Sequence, residues 1–233
     1  MKYVTVGDIV ELLEQNSIYL ASGNITMSLN HTSVIIQEND IIGNALQEWL
    51  GAFLRDQNIY FRKALGQTFP DLYLSEDNTK NICEVKTFLR ERSPAFDVSN
   101  FLGYINSLIE RAYRLDANYL IFGYHNDSDG NIKITDIWNK KVWEITGPAT
   151  DYPLNCQRRN GQIINIRPIN WYSKRTKRVP FSCKEEYIAA LYKTYLNYVN
   201  QTKIAKDWLI KVIDGYQAYN GEDLSIKINE FIK

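Results

Sequence analysis

The chain has 233 residues, 45% hydrophobic and 23% charged, which suits one compact domain over 1–233 with a sizeable core. Lys and Arg number 27, as do Asp and Glu, so the net charge is zero and a uniformly polybasic protein is excluded. Cys83, Cys156 and Cys183 stand far apart with no C-x-x-C spacing, which argues against a disulfide framework or a structural zinc site and points to a reducing, cytoplasmic compartment. His31 and His125 are the only histidines, so His-rich metal chemistry is set aside. No apolar run approaches the length of a membrane span, and no membrane association is expected.

In chain order, residues 5–15 read as a helix capped by Thr5, with Ile9, Leu12 and Leu13 on one face. Residues 17–37 read as short strands with turns at 22–24 and 30–31. A second helix over 39–57 carries Ile42, Ala45, Leu46, Trp49, Leu50 and Phe53 as its apolar stripe. Strands are expected at 59–65, 71–75 and 81–88, then a helix at 98–115. Residues 118–124 form a continuous apolar run that suits a central strand buried on both faces. Strands at 132–138 and 140–145 follow, then an irregular stretch over 147–183. Residues 184–233 read as a helical part with a break near Asn220-Gly221. The expected fold is α/β, a mixed central β-sheet flanked by helices.

The segment suited to chemistry is 69–88. Two strands flank the polar link Glu76 to Thr79, so it reads as a hairpin. If Ser75 pairs with Lys80, Asp71 falls opposite Glu84. Strand alternation then puts Glu84 and Lys86 on one face and Cys83, Val85 and Thr87 on the other. Two carboxylates this close repel unless a cation lies between them, and hard oxygen ligands suit Mg²⁺. A neighbouring Lys stabilises charge that develops on a phosphate. Cys83, pointing to the core, and His125, at a strand end, read as structural.

Pro70-Asp71 with Glu84-Val85-Lys86 resembles the PD-(D/E)XK nuclease superfamily. Over roughly residues 17–125 the order of segments is most similar to the EcoRV-like group of type II restriction endonucleases: Glu48 in a preceding helix, Phe69-Pro70-Asp71, Phe101-Leu102-Gly103-Tyr104, then Tyr119 to Tyr124. That group often has Asp where this chain has Glu84. The resemblance implies a restriction-endonuclease-like fold and Mg²⁺ held by Asp71 and Glu84. It also implies in-line hydrolysis of DNA assisted by Lys86, leaving 5′-phosphate ends. Glu48 joins the site as a further carboxylate. A homodimer is implied by short twofold target sites, with the helix near 39–57 or the strands near 17–37 as its interface.

Residues 155–180 contain Arg158, Arg159, Arg167, Lys174, Arg175, Lys177 and Arg178 and no acid. The rest of the chain thus holds 20 basic residues against all 27 acidic ones. Such a segment suits double-stranded DNA. Arg158, Arg159, Asn160 and Gln162, around Gly161, are the types that read base edges; Lys174, Arg175, Lys177 and Arg178 suit phosphates. The sequence therefore reads as a single catalytic and DNA-binding domain of a type II restriction endonuclease. Its rivals are another nuclease of the superfamily, with repair, resolvase or mobile-element duty, and a non-catalytic DNA-binding module on the same fold. Discrete plasmid fragments, branched-substrate cutting and no cutting separate the three.

Overall fold

The computed structural model describes residues 1–66, 68–175 and 177–233. In chain order its elements are α1 (Val6–Gln15), β1 (Ser22–Gly23), β2 (Ile25–Leu29), β3 (Thr32–Ile36), α2 (Ile42–Asp56), β4 (Arg62–Lys63), β5 (Leu72–Tyr73), β6 (Ile82–Leu89), β7 (Ser99–Asn100), α3 (Phe101–Glu110), β8 (Asn118–Asn126), β9 (Ile132–Lys141), α4 (Val142–Ile145), β10 (Cys156–Arg159), β11 (Gln162–Ile166), α5 (Lys184–Val199), α6 (Thr202–Asn220) and α7 (Ser225–Ile232). By backbone contacts they fall into two compact units, Met1–Pro94 with Ala117–Lys140, and Ala95–Asp116 with Lys141–Lys233.

The first unit is built on a six-stranded mixed sheet in the order β1-β9-β8-β6-β5-β4. Strand β6 runs parallel to β8, with Glu84 beside Tyr119 and Val85 beside Leu120, while β5 is antiparallel to β6. The apolar run 119–124 is buried throughout, as an interior parallel strand requires. Cys83 and Val85 share a core with Ile9 and Leu13 of α1, Leu50 and Leu54 of α2, and Leu120 and Phe122 of β8. Each such Leu or Phe contributes about 1.5–3 kcal/mol on burial. Helix α1 starts where Thr5 and Asp8 cap each other: the Asp8 amide donates to Thr5 Oγ1 at 3.1 Å, and the Thr5 amide donates to Asp8 Oδ2 at 2.7 Å.

The second unit packs α3, α5, α6 and α7 with a three-stranded sheet in the order β10-β11-β7. Phe101, Tyr104 and Leu108 of α3, Tyr187 and Leu191 of α5, and Val212 and Tyr216 of α6 are fully buried. Trp208 Nε1 donates to the Ile105 carbonyl at 2.8 Å, and Asp116 accepts from Tyr216 Oη at 2.8 Å while pairing with Lys184 at 2.6 Å. The break expected near Asn220-Gly221 is the C-cap of α6, with Gly221 left-handed at φ 84°.

The structure departs from the sequence reading in five places. The turn expected at 22–24 opens as strand β1, with Ser22 and Gly23 paired to β9. The strands expected at 59–65 and 71–75 shrink to two residues each, β4 and β5. The helix expected over 98–115 covers only 101–110. Val98 to Asn100 are drawn into β-pairing with β11, and Asn100 Oδ1 accepts from the Gly103 amide at 2.9 Å as the helix cap. The strand expected at 140–145 is a single helical turn, because Glu144 accepts from the Lys141 amide at 2.6 Å and ends β9. The stretch 147–183 is not wholly irregular, since it contains the β10–β11 hairpin.

Candidate active site and nucleic-acid interface

Register places the catalytic candidates. Leu72 pairs with Cys83 and Tyr73 with Ile82, and the Leu74 amide donates to the Asn81 carbonyl at 3.1 Å. One step further along the same pairing, Asp71 lies across from Glu84. The Val85 amide donates to Asp71 Oδ2 at 2.7 Å, which fixes the carboxylate against β6. Lys86 Nζ lies 2.8 Å from Glu84 Oε1, with both side chains largely buried. Asp71, Glu84 and Lys86 are thus brought together.

Their electrostatics are unbalanced. Burial, and next the Glu84 charge, push the Asp71 carboxyl up to about 6, against the opposing pull of the Val85 amide and Lys86. Glu84 is only 8% exposed, and its Oε2 is buried with no partner among the described residues. An orphaned buried carboxylate oxygen beside a second carboxylate lacks one positive charge. A divalent cation with hard oxygen preference fits this donor pair. Among the described residues no group of three or more His, Cys, Asp or Glu side chains forms a metal cluster.

Glu48 reaches the neighbourhood from α2. It lines a cavity of about 210 Å³ with Gln47, Lys63, Asp71 and Val85. Its carboxylate pairs with Lys63 at 2.6 Å, and that ammonium holds it below the usual carboxylate range. Lys63 and Gln47 escaped the sequence reading because they lie outside the motif; only packing delivers them here. His125 is a strand-end residue paired with Glu91.

The basic segment forms a hairpin followed by a loop. Asn160 and Gly161 have φ 52° and 78°, so both central residues are left-handed and connect β10 to β11 through a two-residue turn. The Asn160-Gly161 pair is the sequence signal that marks this hairpin, which the reading of 147–183 as irregular passes over. Arg159, Asn160 and Gln162 are exposed at its tip. Arg158 is tied to Asp151 at 2.7 Å and lies over the Tyr152 ring. Arg167 is structural: it pairs with Asp97 at 3.0 Å and donates to the Ala95 carbonyl and Gln157. Lys174, Arg175, Lys177 and Arg178 are exposed, with Arg178 donating to Asn155 Oδ1 at 3.3 Å. Thr176, inside that run, lies outside the described residues. Among the described residues no helix is long and apolar enough to cross a membrane.

The family model of the NgoBV restriction endonuclease matches residues 3–233. The type II restriction enzyme NlaIV of Neisseria lactamica is 36% identical over 219 residues, 93% of this chain and 90% of that protein. The type II restriction enzyme NgoBV of Neisseria gonorrhoeae is 33% identical over 156 residues, 66% of this chain and 89% of that protein. A solved structure of the NlaIV restriction endonuclease superposes with a TM-score of 0.89 at 34% identity, covering 100% of this chain and 99% of its own. The chain belongs to the NgoBV restriction endonuclease family and is a type II restriction endonuclease.

Proposed function

We propose that this enzyme cleaves double-stranded DNA at a short specific sequence with Asp71 and Glu84 holding Mg²⁺ and Lys86 assisting, leaving 5′-phosphate and 3′-hydroxyl ends. The observation that carries the assignment is the buried, unpartnered Oε2 of Glu84 beside Asp71, with Lys86 2.8 Å from the other oxygen. When bound, magnesium supplies positive charge on the phosphate and acidifies water. The Val85 amide engages Asp71 Oδ2 and holds the carboxylate against β6, where it would serve as a ligand beside Glu84. Lys86 Nζ, anchored on Glu84, offsets negative charge that builds on the phosphate oxygens during in-line attack.

The hairpin tip residues Arg159, Asn160 and Gln162 carry sequence reading, with Arg158, held by Asp151, bracing the hairpin behind them, and Lys174, Arg175, Lys177 and Arg178 hold phosphates. Each chain contributes one such catalytic group, so two strands of a twofold target call for a homodimer. The β2–β3 hairpin supports this. Its alternation puts Met27, Leu29 and Val34 on one face, at 50%, 66% and 53% exposure, and residues 22–37 contain no Asp, Glu, Lys or Arg.

The test is plasmid digestion with Mg²⁺ followed by sequencing of the fragment termini. Discrete fragments with one shared terminal sequence and ligatable 5′-phosphates are expected, and none from Asp71→Ala. A smear, or an Asp71→Ala enzyme that cuts at the normal rate, sinks the assignment.

A further inference from the structure

Asp71 belongs to two carboxylate–lysine neighbourhoods. In one, Glu84 is paired with Lys86 and acts electrostatically on Asp71. In the other, Glu48 shares a cavity with Asp71 and is paired with Lys63. The approach of Lys63 is built into the packing. It comes from β4 across α2 at Gly51, where a Cβ would lie 3.2 Å from Lys63 Cε and 3.5 Å from the Phe61 ring. Glycine in a helix interior costs about 1 kcal/mol relative to alanine. Here it stands three residues after Glu48, where the lysine stem crosses.

Asp71 is common to both neighbourhoods, so its charge counts once: each lysine offsets the carboxylate it is paired with, and the five groups together carry one negative charge. The paired carboxylates differ in burial, Glu84 being 8% exposed and the Glu48 side chain 75%. Asp71, Glu84 and Lys86 sum to one negative charge, and an oxygen of Glu84 remains buried without a partner. One divalent ion converts that to one positive charge, equal and opposite to a phosphodiester. Glu48 and Lys63 sum to zero, and Arg55 adds positive field at Glu48. With Asp71 counted once, a second divalent ion there meets no uncompensated carboxylate. Two-metal sites place their ions only ~4 Å apart and need negative charge around both.

We infer that this enzyme works with one divalent ion per active site, between Asp71 and Glu84, and that the Lys63 ammonium on Glu48 occupies the place of a second ion. Lys63 is in this sense a positioning residue: it holds Glu48 and keeps the cavity at single-ion occupancy. The inference rests on Asp71 and Glu84 being the metal-holding pair.

The experiment is a calorimetric titration of Ca²⁺, in place of Mg²⁺ to block cutting, into enzyme bound to a duplex carrying its mapped cleavage site. One ion per wild-type chain is expected. Glu48→Gln should keep one ion but bind it more weakly, because it leaves the Lys63 ammonium uncompensated in the cavity that Asp71 lines. Lys63→Met, and Lys63→Gln as a second variant, should gain another, weaker ion, with thermal melts confirming that both are folded. Two ions in the wild type, or no gain in either lysine variant, overturns the role of Lys63. Asp71→Ala separates the layers: it should bind no ion, and wild-type binding by Asp71→Ala removes the metal-pair assignment itself.

Discussion

The Val85 amide donates to Asp71 Oδ2 at 2.7 Å, and this one bond joins the two halves of the motif. It crosses from β6 to the residue just before β5, so the candidate catalytic carboxylate is positioned by sheet register rather than by a flexible loop. The cost is a carboxylate held close to Glu84 in a half-buried position.

That cost has a pH signature. The Asp71 carboxyl is raised to about 6 by burial and by Glu84. In the window from its ordinary value near 3.8 up to 6, the folded state binds more protons than the unfolded one, so stability falls as pH rises through it and stays reduced above. Asp71→Asn keeps an acceptor for the Val85 amide and removes the charge. In metal-free protein it should be more stable than wild type by about 1–2 kcal/mol at pH 7.5 and no more stable near pH 3.5. Denaturant melts at the two pH values check this; an equal effect at both rules it out. The same variant should be inactive.

Lys86 tests the chemical step. Lys86→Ala should lower kcat by several orders of magnitude while changing Ca²⁺-supported DNA affinity by less than about tenfold. Lys86→Arg should recover little, because a planar guanidinium does not reproduce an ammonium placed 2.8 Å from Glu84 Oε1. Single-turnover rates decide; loss confined to DNA affinity contradicts the assigned role.

Within the basic segment, Arg159, Arg167 and Lys177 should separate three behaviours. Arg159→Ala, at the hairpin tip, should weaken the specific duplex by about 1–3 kcal/mol and random DNA little. Lys177→Ala should weaken both and flatten the salt slope by about one unit. Arg167→Ala should lower Tm, since it breaks the ties to Asp97, Ala95 and Gln157. Asn160→Ala is a poorer probe, because it also forces alanine into a left-handed turn position at φ 52°. Binding isotherms across salt with both duplexes, beside thermal melts, give the comparison; an Arg159→Ala defect equal on both DNAs reverses the division.

The dimer reading is tested on β2–β3. Val34→Glu or Met27→Glu puts like charges across a twofold contact and should yield a folded monomer that no longer makes double-strand breaks. Analytical ultracentrifugation gives the answer; variants that stay dimeric move the interface elsewhere.

Much of the site was legible in the residues because strand chemistry is local. Alternation along 82–89 separates Glu84 and Lys86 from Cys83 and Val85, and the length of the link after Tyr73 sets Asp71 across from Glu84. The apolar run 119–124 and the Asn220-Gly221 break were readable for the same reason. The start of α3 at Phe101 was not, because residues 98–100 have a long-range partner in β11, more than 60 residues away. Lys63 and Gln47 carry no motif, and only the packing of α2 and the β4–β5 edge brings them to Asp71. Arg158 and Arg167 look like their neighbours in sequence, yet Asp151 and Asp97 neutralise them. Composition and period thus specified which residue types face together, while tertiary structure decided which charges are compensated, since an ion pair depends on distance between residues that the chain itself keeps far apart.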